Sequence, residues 1–153
     1  PPRLLNPLFQ NFILKIAGTG SKENWLRDFV KEDKRFQIYG YMKPSQLQNL
    51  YAQSDITIVP SLCYENSPIT IYESMSYGVP VIASDIGGIP ELIKDNYNGF
   101  TFEPANEKNF LKVIEYYLNH KEELEKLKNN VIQSVEEYTM RNHLSKLMHL
   151  LSK

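Results

Sequence analysis

The sequence predicts an α/β protein built on a parallel β-sheet that is covered by helices on both faces. Two observations lead to this prediction. Short runs rich in β-branched residues alternate with segments of helical periodicity, which is the pattern of successive β-α-β units. The chain has 153 residues, of which 42% are hydrophobic and 23% are charged, as in an ordinary globular domain.

The individual elements are predicted from the apolar runs and from the residues that punctuate them. Ser21 is a good N-cap residue and Pro44 suits the first turn of a helix, so one helix is predicted to begin near each. Gly40 and Pro60 close two of the strands. The predicted strands are 12–17, 36–39, 55–59, 80–83 and 99–102, and the predicted helices up to Gly78 are 21–30, 44–53 and 68–77.

The last third of the chain is predicted to be helical. Its charges are mixed in sign, which indicates solvated helix faces, and no repeat or linker interrupts the chain. We therefore expect residues 1–153 to form a single Rossmann-like domain. Three apolar stripes at helical spacing define these helices: Phe110, Ile114, Tyr117 and Leu118; Leu124, Leu127 and Val131; Leu144, Leu147, Met148 and Leu151.

Charge and composition exclude several classes of protein. The formal net charge of −1 argues against nucleic-acid binding, which normally requires a basic excess. The single cysteine, Cys63, cannot form an internal disulfide and fits a reducing compartment. No apolar run reaches the ~20 residues of a membrane span. Because the chain begins with Pro1 rather than Met, we expect it to be a piece of a longer protein.

The turn Gly18-Thr19-Gly20 follows a predicted strand and precedes a predicted helix. A dinucleotide-binding fingerprint would need a third glycine at position 23, which is Glu23, and the chain has no Gly-Lys-Ser/Thr phosphate loop. Two interpretations remain open. The glycines either form a tight turn only, or they also let a ligand approach the backbone.

The most informative segment surrounds Pro68, which is suited to begin a helix capped by Asn66 or Ser67. A helix N-terminus attracts phosphate, and a carboxylate can accept hydrogen bonds from a diol. Glu65 lies before this helix and Glu73 lies inside it. The arrangement predicts a ligand with phosphate in the middle and a sugar at each end. The alternative is that both glutamates are solvated surface charges.

From Pro60 to Pro90 the chain resembles the donor-binding half of the retaining glycosyltransferases of family four, which have the GT-B fold. Similar segments surround Gly18, Tyr41 and Gly99. The motifs of the family occur in the expected order: Pro60-Ser61, Glu65, Glu73, Gly78-Val79-Pro80-Val81 and Gly87-Gly88-Ile89-Pro90-Glu91.

The resemblance implies a role for each matching position. Glu65 would be the catalytic residue, contacting the transferred sugar near the reacting carbon, and Glu73 would hold the ribose. The sequence departs from the family pattern at two places. Asn66-Ser67-Pro68 stands where the family has a glycine-rich run. The Arg and Lys that clamp the diphosphate in the family have no match before residue 12, because Arg3 is not surrounded by the family's neighbouring residues. The other substrate-binding positions implied are Ser67, Pro68, Ile69, Thr70, Gly18, Gly20, Tyr41 and Met42.

The implied function is retaining glycosyl transfer from a UDP-, GDP- or ADP-sugar, with no metal or other cofactor. The acceptor, which is a glycan, a lipid or a small molecule, would bind to an absent amino-terminal half, so this chain alone should transfer nothing. The implied setting is polysaccharide or glycoconjugate synthesis in the cytoplasm, with any membrane association through the absent half. A nucleotide-sugar epimerase of the same fold and a non-catalytic nucleotide-binding module remain as alternatives.

Overall fold

A computed structural model describes residues 12–152 of the protein, apart from the side chains at positions 121, 124 and 125. The chain divides into two compact units, one up to Leu50 and one from Tyr51 onward. The described elements are β1 Leu14–Ala17, α1 Glu23–Val30, β2 Phe36–Gly40, α2 Pro44–Ala52, β3 Thr57–Val59, α3 Ile69–Ser76, β4 Val81–Ser84, α4 Ile89–Leu92, β5 Gly99–Phe102, α5 Glu107–Asn119, α6 Leu124–Glu136 and α7 Met140–Leu151.

The first unit contains a parallel pair of strands, β1 and β2, which start in register with Leu14 opposite Phe36. The helix that connects them, α1, is amphipathic, and Val30 is its buried residue. The prediction that Ser21 caps this helix is wrong. Lys22 occupies the cap position and makes no capping hydrogen bond through its side chain.

The second unit contains a parallel three-stranded sheet in the order β3-β4-β5. Every residue of the central strand β4 is buried. Alternate residues of a strand face opposite sides of a sheet, and the packing partners of two successive β4 side chains show this. Val81 packs in a cluster with α3 and α6 residues, whereas Ile82 packs with Tyr117 of α5. The predicted α/β fold with helices over a parallel sheet is confirmed.

The helix α3 ends at Gly78, as the sequence predicts. The φ angle of Gly78 is 70°, in the left-handed region. The Gly78 N–H donates to Met75 O at 2.9 Å, and the Val79 N–H donates to Ser74 O at 3.1 Å. These are the two hydrogen bonds of a Schellman motif, which satisfies the last carbonyl groups of a helix. The chain can therefore turn directly from α3 into β4.

We expect Gly78→Val to lower the free energy of unfolding by more than about 1 kcal/mol, because a β-branched residue is strained at positive φ. The added Cβ would also lie 3.4 Å from the Ile132 side chain. Chemical denaturation of both proteins measures the effect. Gly20→Val is the matched control, because a Cβ at Gly20 would meet nothing within 4 Å. Equal denaturation midpoints for Gly78→Val and the parent chain would contradict the prediction.

The last third of the chain is helical, as predicted, but its apolar stripes differ in burial. Tyr117 of α5 and Val131 of α6 are buried in the core of the second unit. The stripe on α7 lies on the surface, where Leu144 is 50% exposed and Leu147 is 43% exposed. Within residues 12–152, none of the helices is long and apolar enough to cross a membrane.

Candidate functional site

The loop after β3 and the turn after β4 lie at the carboxyl ends of adjacent parallel strands, where open α/β sheets bind ligands. The two segments are joined backbone to backbone. The Gly88 N–H donates to Glu65 O at 2.8 Å. A Cβ added at Gly88 would lie within 3.0 Å of the Asn66 carbonyl carbon, and one added at Gly87 would lie 2.5 Å from Glu65 O. Both glycines are therefore needed for this close approach, which fixes the backbone at Glu65.

The side chain of Glu65 is half-buried and is held by a second contact. Its carboxylate oxygen Oε1 accepts a hydrogen bond from the hydroxyl of Ser61, which lies just after β3. In contrast, the residues between them face outward: Leu62 is 69% exposed and Tyr64 is 88% exposed. The structure thus fixes the carboxylate of Glu65 next to three loop residues, 62–64, whose side chains are open to solvent.

The helix α3 begins without a side-chain cap. Pro68 occupies its N-cap position in an extended conformation. The prediction that Asn66 or Ser67 caps this helix is wrong, because the Ser67 hydroxyl lies 2.6 Å from the hydroxyl of Tyr72 and bonds to it instead. The first N–H groups of a helix carry partial positive charge and suit an anion when no side chain occupies them. These groups belong to Ile69 and Thr70, which follow Pro68.

Glu73 is half-buried in the second turn of α3 and is hydrogen-bonded on one side. Its Oε2 accepts from the hydroxyl of Tyr51 at 3.2 Å. The ring of Tyr51 stacks on that of Tyr77, with 5.7 Å between centroids and 11° between planes. Burial, together with the negative charge of Glu73, raises the pKa of Tyr51 to about 12. The hydroxyl of Tyr51 therefore remains protonated near neutral pH and donates to the carboxylate.

In the first unit, four further predicted site residues lie at the carboxyl ends of β1 and β2: Gly18, Gly20, Tyr41 and Met42. The Gly18 N–H donates to Gly40 O at 2.7 Å, and Gly18 has a φ of 124°, which requires glycine. A Cβ at Gly20 would meet nothing within 4 Å, so protein packing does not explain why this position is a glycine. Tyr41 is 76% exposed and Met42 is half-buried.

The remaining predicted site residues, Glu65, Glu73 and 67–70, belong to the second unit. Sequence reasoning did not find the hydroxyl partners of the two carboxylates. Ser61 is four residues from Glu65, so a short-range signal was available, whereas Tyr51 and Glu73 are 22 positions apart and no short-range signal links them. Arg3 lies outside the described residues. In the described part of the chain, no three His, Cys, Asp or Glu side chains are grouped to hold a metal ion.

Comparison with known proteins places this chain in a family. Residues 2–134 match the family described as Glycosyl transferases group 1. The glycogen synthase of Aquifex aeolicus is 32% identical over 134 residues, which cover 83% of this chain and 27% of that enzyme. An Escherichia coli UDP-Gal:alpha-D-GlcNAc-diphosphoundecaprenol alpha-1,3-galactosyltransferase is 30% identical over 113 residues, which cover 71% of this chain and 28% of that enzyme. The chain thus spans about a quarter of the length of these relatives.

Solved structures agree with the sequence matches. A glycosyltransferase from Rickettsia africae is 27% identical and superposes with a TM-score of 0.77, covering 92% of this chain and 39% of that one. The Anabaena protein HepE, crystallised with UDP, has a TM-score of 0.78 at 18% identity, covering 92% of this chain and 41% of that one, and shows the shared fold alone. The predicted resemblance to GT-B glycosyltransferases is confirmed, and the chain belongs to the Glycosyl transferases group 1 family.

Proposed function

We propose that the longer protein transfers a sugar from a nucleoside-diphosphate sugar to an acceptor with retention at the anomeric carbon, and that this chain supplies the donor-binding part. The observation that carries the proposal is the start of α3, which lacks a side-chain cap and is flanked along the chain by two half-buried carboxylates, Glu65 and Glu73. The order of diol acceptor, anion site and diol acceptor matches the chemistry of such a donor, which has ribose, diphosphate and sugar in sequence.

The ribose, the diphosphate and the transferred sugar of the donor each have a proposed partner in the second unit. The ribose hydroxyls donate to Glu73, and the diphosphate accepts from the N–H groups of Ile69 and Thr70. Ser67 and Pro68 shape the entrance of this anion site, although Pro68 has no N–H to contribute. In the first unit, Gly18 and Gly20 leave room for the donor, and Tyr41 and Met42 lie in the segment proposed to meet the base.

The proposed chemistry depends on charges fixed before the reaction begins. Cleavage of the donor leaves positive charge on the sugar and negative charge on the departing diphosphate, so fixed dipoles and charges of opposite sign lower the barrier. The carboxylate of Glu65 would stabilise the cationic sugar, and the start of α3 would stabilise the diphosphate. The hydrogen bond from Ser61 supports this role, because it holds the carboxylate of Glu65 in one orientation. No metal or other cofactor has a part in this proposal.

The comparisons support a nucleotide-sugar donor. HepE was crystallised with UDP-glucose as well as with UDP, and the name of the Escherichia coli relative states that it uses UDP-Gal. We propose that a glycan, lipid or small-molecule acceptor binds to a part of the protein outside this chain. The isolated chain then binds the donor but transfers nothing. The proposed setting is cytoplasmic, with any membrane association through that other part.

Binding of nucleotides to the 153-residue chain tests the donor site directly. We expect one of UDP, GDP and ADP to shift the backbone amide resonances of Ile69 and Thr70 in an NMR titration, because a phosphate there accepts their hydrogen bonds at roughly 2.7–3.2 Å. Resonances of α7 serve as the internal control. Shifts confined to surfaces away from the start of α3, or no binding at millimolar nucleotide, would contradict the assignment.

The full-length protein tests the reaction itself. Supplied with UDP-glucose, GDP-mannose or ADP-glucose and no acceptor, a retaining transferase should slowly hydrolyse its donor and release the α-anomer of the sugar first. Time-resolved NMR of the anomeric proton detects this. Release of an epimerised nucleotide sugar, or first release of the β-anomer, would contradict the proposed reaction.

A further inference from the structure

We propose that Tyr51 is a positioning residue for the donor: its hydroxyl orients Glu73 so that the second carboxylate oxygen can accept from the ribose. The inference rests on the proposed function, which assigns the ribose to Glu73, and it adds a residue that the sequence motifs do not single out. The hydroxyl of Tyr51 lies 3.2 Å from Oε2 of Glu73. A carboxylate has two oxygens that each accept hydrogen bonds, so this contact leaves Oε1 for a ligand.

The tyrosine that donates this hydrogen bond is held rigidly. Tyr51 is 9% exposed, and its ring stacks on Tyr77 with the planes 11° apart. A stacked and buried ring has few positions, so its hydroxyl is fixed in space. Because the pKa of Tyr51 is raised to about 12, the hydroxyl keeps its proton through the physiological range.

The carboxylate of Glu73, which accepts this hydrogen bond, would otherwise be mobile. A glutamate has three rotatable side-chain bonds, and it loses rotamer freedom when a ligand fixes it. A hydrogen bond present before the ligand arrives restricts the carboxylate beforehand, so less freedom is lost on binding. The expected benefit is selective: it should strengthen binding of ligands that carry ribose hydroxyls and leave ligands without them unaffected.

The test therefore compares two ligands that differ in those hydroxyls. The probe is whichever of UDP, GDP and ADP binds the 153-residue chain most tightly, together with its 2′,3′-dideoxy analogue. We expect the parent chain to bind the ribonucleotide at least tenfold more tightly. The measured quantity is the ratio of the two dissociation constants, because a general loss of stability lowers both affinities and leaves their ratio unchanged.

Tyr51→Phe removes the hydroxyl and keeps the ring that stacks on Tyr77. We expect it to reduce the preference for the ribonucleotide about threefold to tenfold. The matched control is Tyr117→Phe. Tyr117 is also buried in the second unit, and its hydroxyl donates to Asp55 O at 2.7 Å. This control also loses the hydrogen bond of a buried tyrosine hydroxyl and should keep the parent preference.

Glu73→Ala separates failure of the inference from failure of the proposed function. If Glu73→Ala abolishes the preference and Tyr51→Phe leaves it unchanged, Tyr51 does not position Glu73 and the inference is wrong. An equal loss for both ligands in Tyr51→Phe would also overturn it, because that result describes a purely structural tyrosine. If Glu73→Ala keeps the full preference, or if none of the three nucleotides binds, the assignment of the ribose to Glu73 fails and the inference fails with it.

Discussion

Glu73→Ala is expected to weaken binding of the nucleoside diphosphate about tenfold to a hundredfold in the full-length enzyme. The ribose is present both in the donor and in the released nucleotide, so loss of the carboxylate proposed to bind it should affect both. Hydrogen bonds to a charged group contribute about 1.5–3 kcal/mol, which gives this range. Calorimetry with the nucleotide alone measures the effect.

Glu65→Ala should give the opposite pattern, because its proposed partner is the transferred sugar. We expect nucleotide affinity to stay near that of the parent enzyme while turnover falls, since the contact of Glu65 strengthens as the sugar becomes cationic. Glu122→Ala, which removes an exposed carboxylate from the turn between α5 and α6, is the control for both variants.

The two glutamate variants must differ for the assignment to stand. If they weaken the plain nucleotide equally, the proposed division between ribose and sugar is wrong. If neither changes nucleotide affinity or turnover, both carboxylates are surface charges without a role in the reaction.

Gly88→Ala is expected to lower the free energy of unfolding by about 3 kcal/mol, which is large for the addition of one methyl group. The new methyl would overlap the Asn66 carbonyl group, and backbone cannot rotate away as the end of a long side chain can. The loop and the turn would have to separate, and the hydrogen bond from Gly88 N–H to Glu65 O would be lost. Thermal and chemical denaturation measure the effect.

Gly20→Ala is the matched control for Gly88→Ala, because a methyl at Gly20 has open space around it. We expect this control to change stability by about 0.5 kcal/mol or less. In the full-length enzyme, Gly88→Ala should also reduce turnover, since it displaces the loop that carries Glu65. A Gly88→Ala protein as stable as the Gly20→Ala protein would show that the two segments are not packed as described.

The sequence predicts those parts of the fold that local patterns determine. The strand β5 is predicted with its observed bounds, and Gly78 ends α3 as expected, because apolar runs and left-handed glycines are local signals. The helix caps are less predictable. Ser67 is a suitable cap by residue type, yet its hydroxyl bonds to Tyr72, which becomes available only once α3 has formed. Competition between two partners of one hydroxyl is not visible in a local pattern.

Long-range contacts are the part that the sequence cannot supply. Asn98 is polar and lies in a loop, but it is 1% exposed and donates to Leu92 O at 2.9 Å and to Ser134 Oγ at 3.1 Å. Those partners are brought together only by the packing of α6. The contact between Tyr51 and Glu73 is of the same kind. The motifs single out Glu65 and Glu73 as proposed site residues, whereas the hydroxyls that contact them are seen only in the folded structure.

The loop after β3 is anchored at its second half and open in its first half, and this has a consequence for protein engineering. Substitutions at 65 and 66 must preserve contacts with the turn at Gly87 and Gly88. Positions 62–64 carry exposed side chains and can accept diverse residues with little loss of stability. A combinatorial library restricted to these three positions would vary the residues that precede Glu65 in the loop while its anchor stays intact. If Glu65 contacts the transferred sugar as proposed, such a library is a compact route to altered substrate preference.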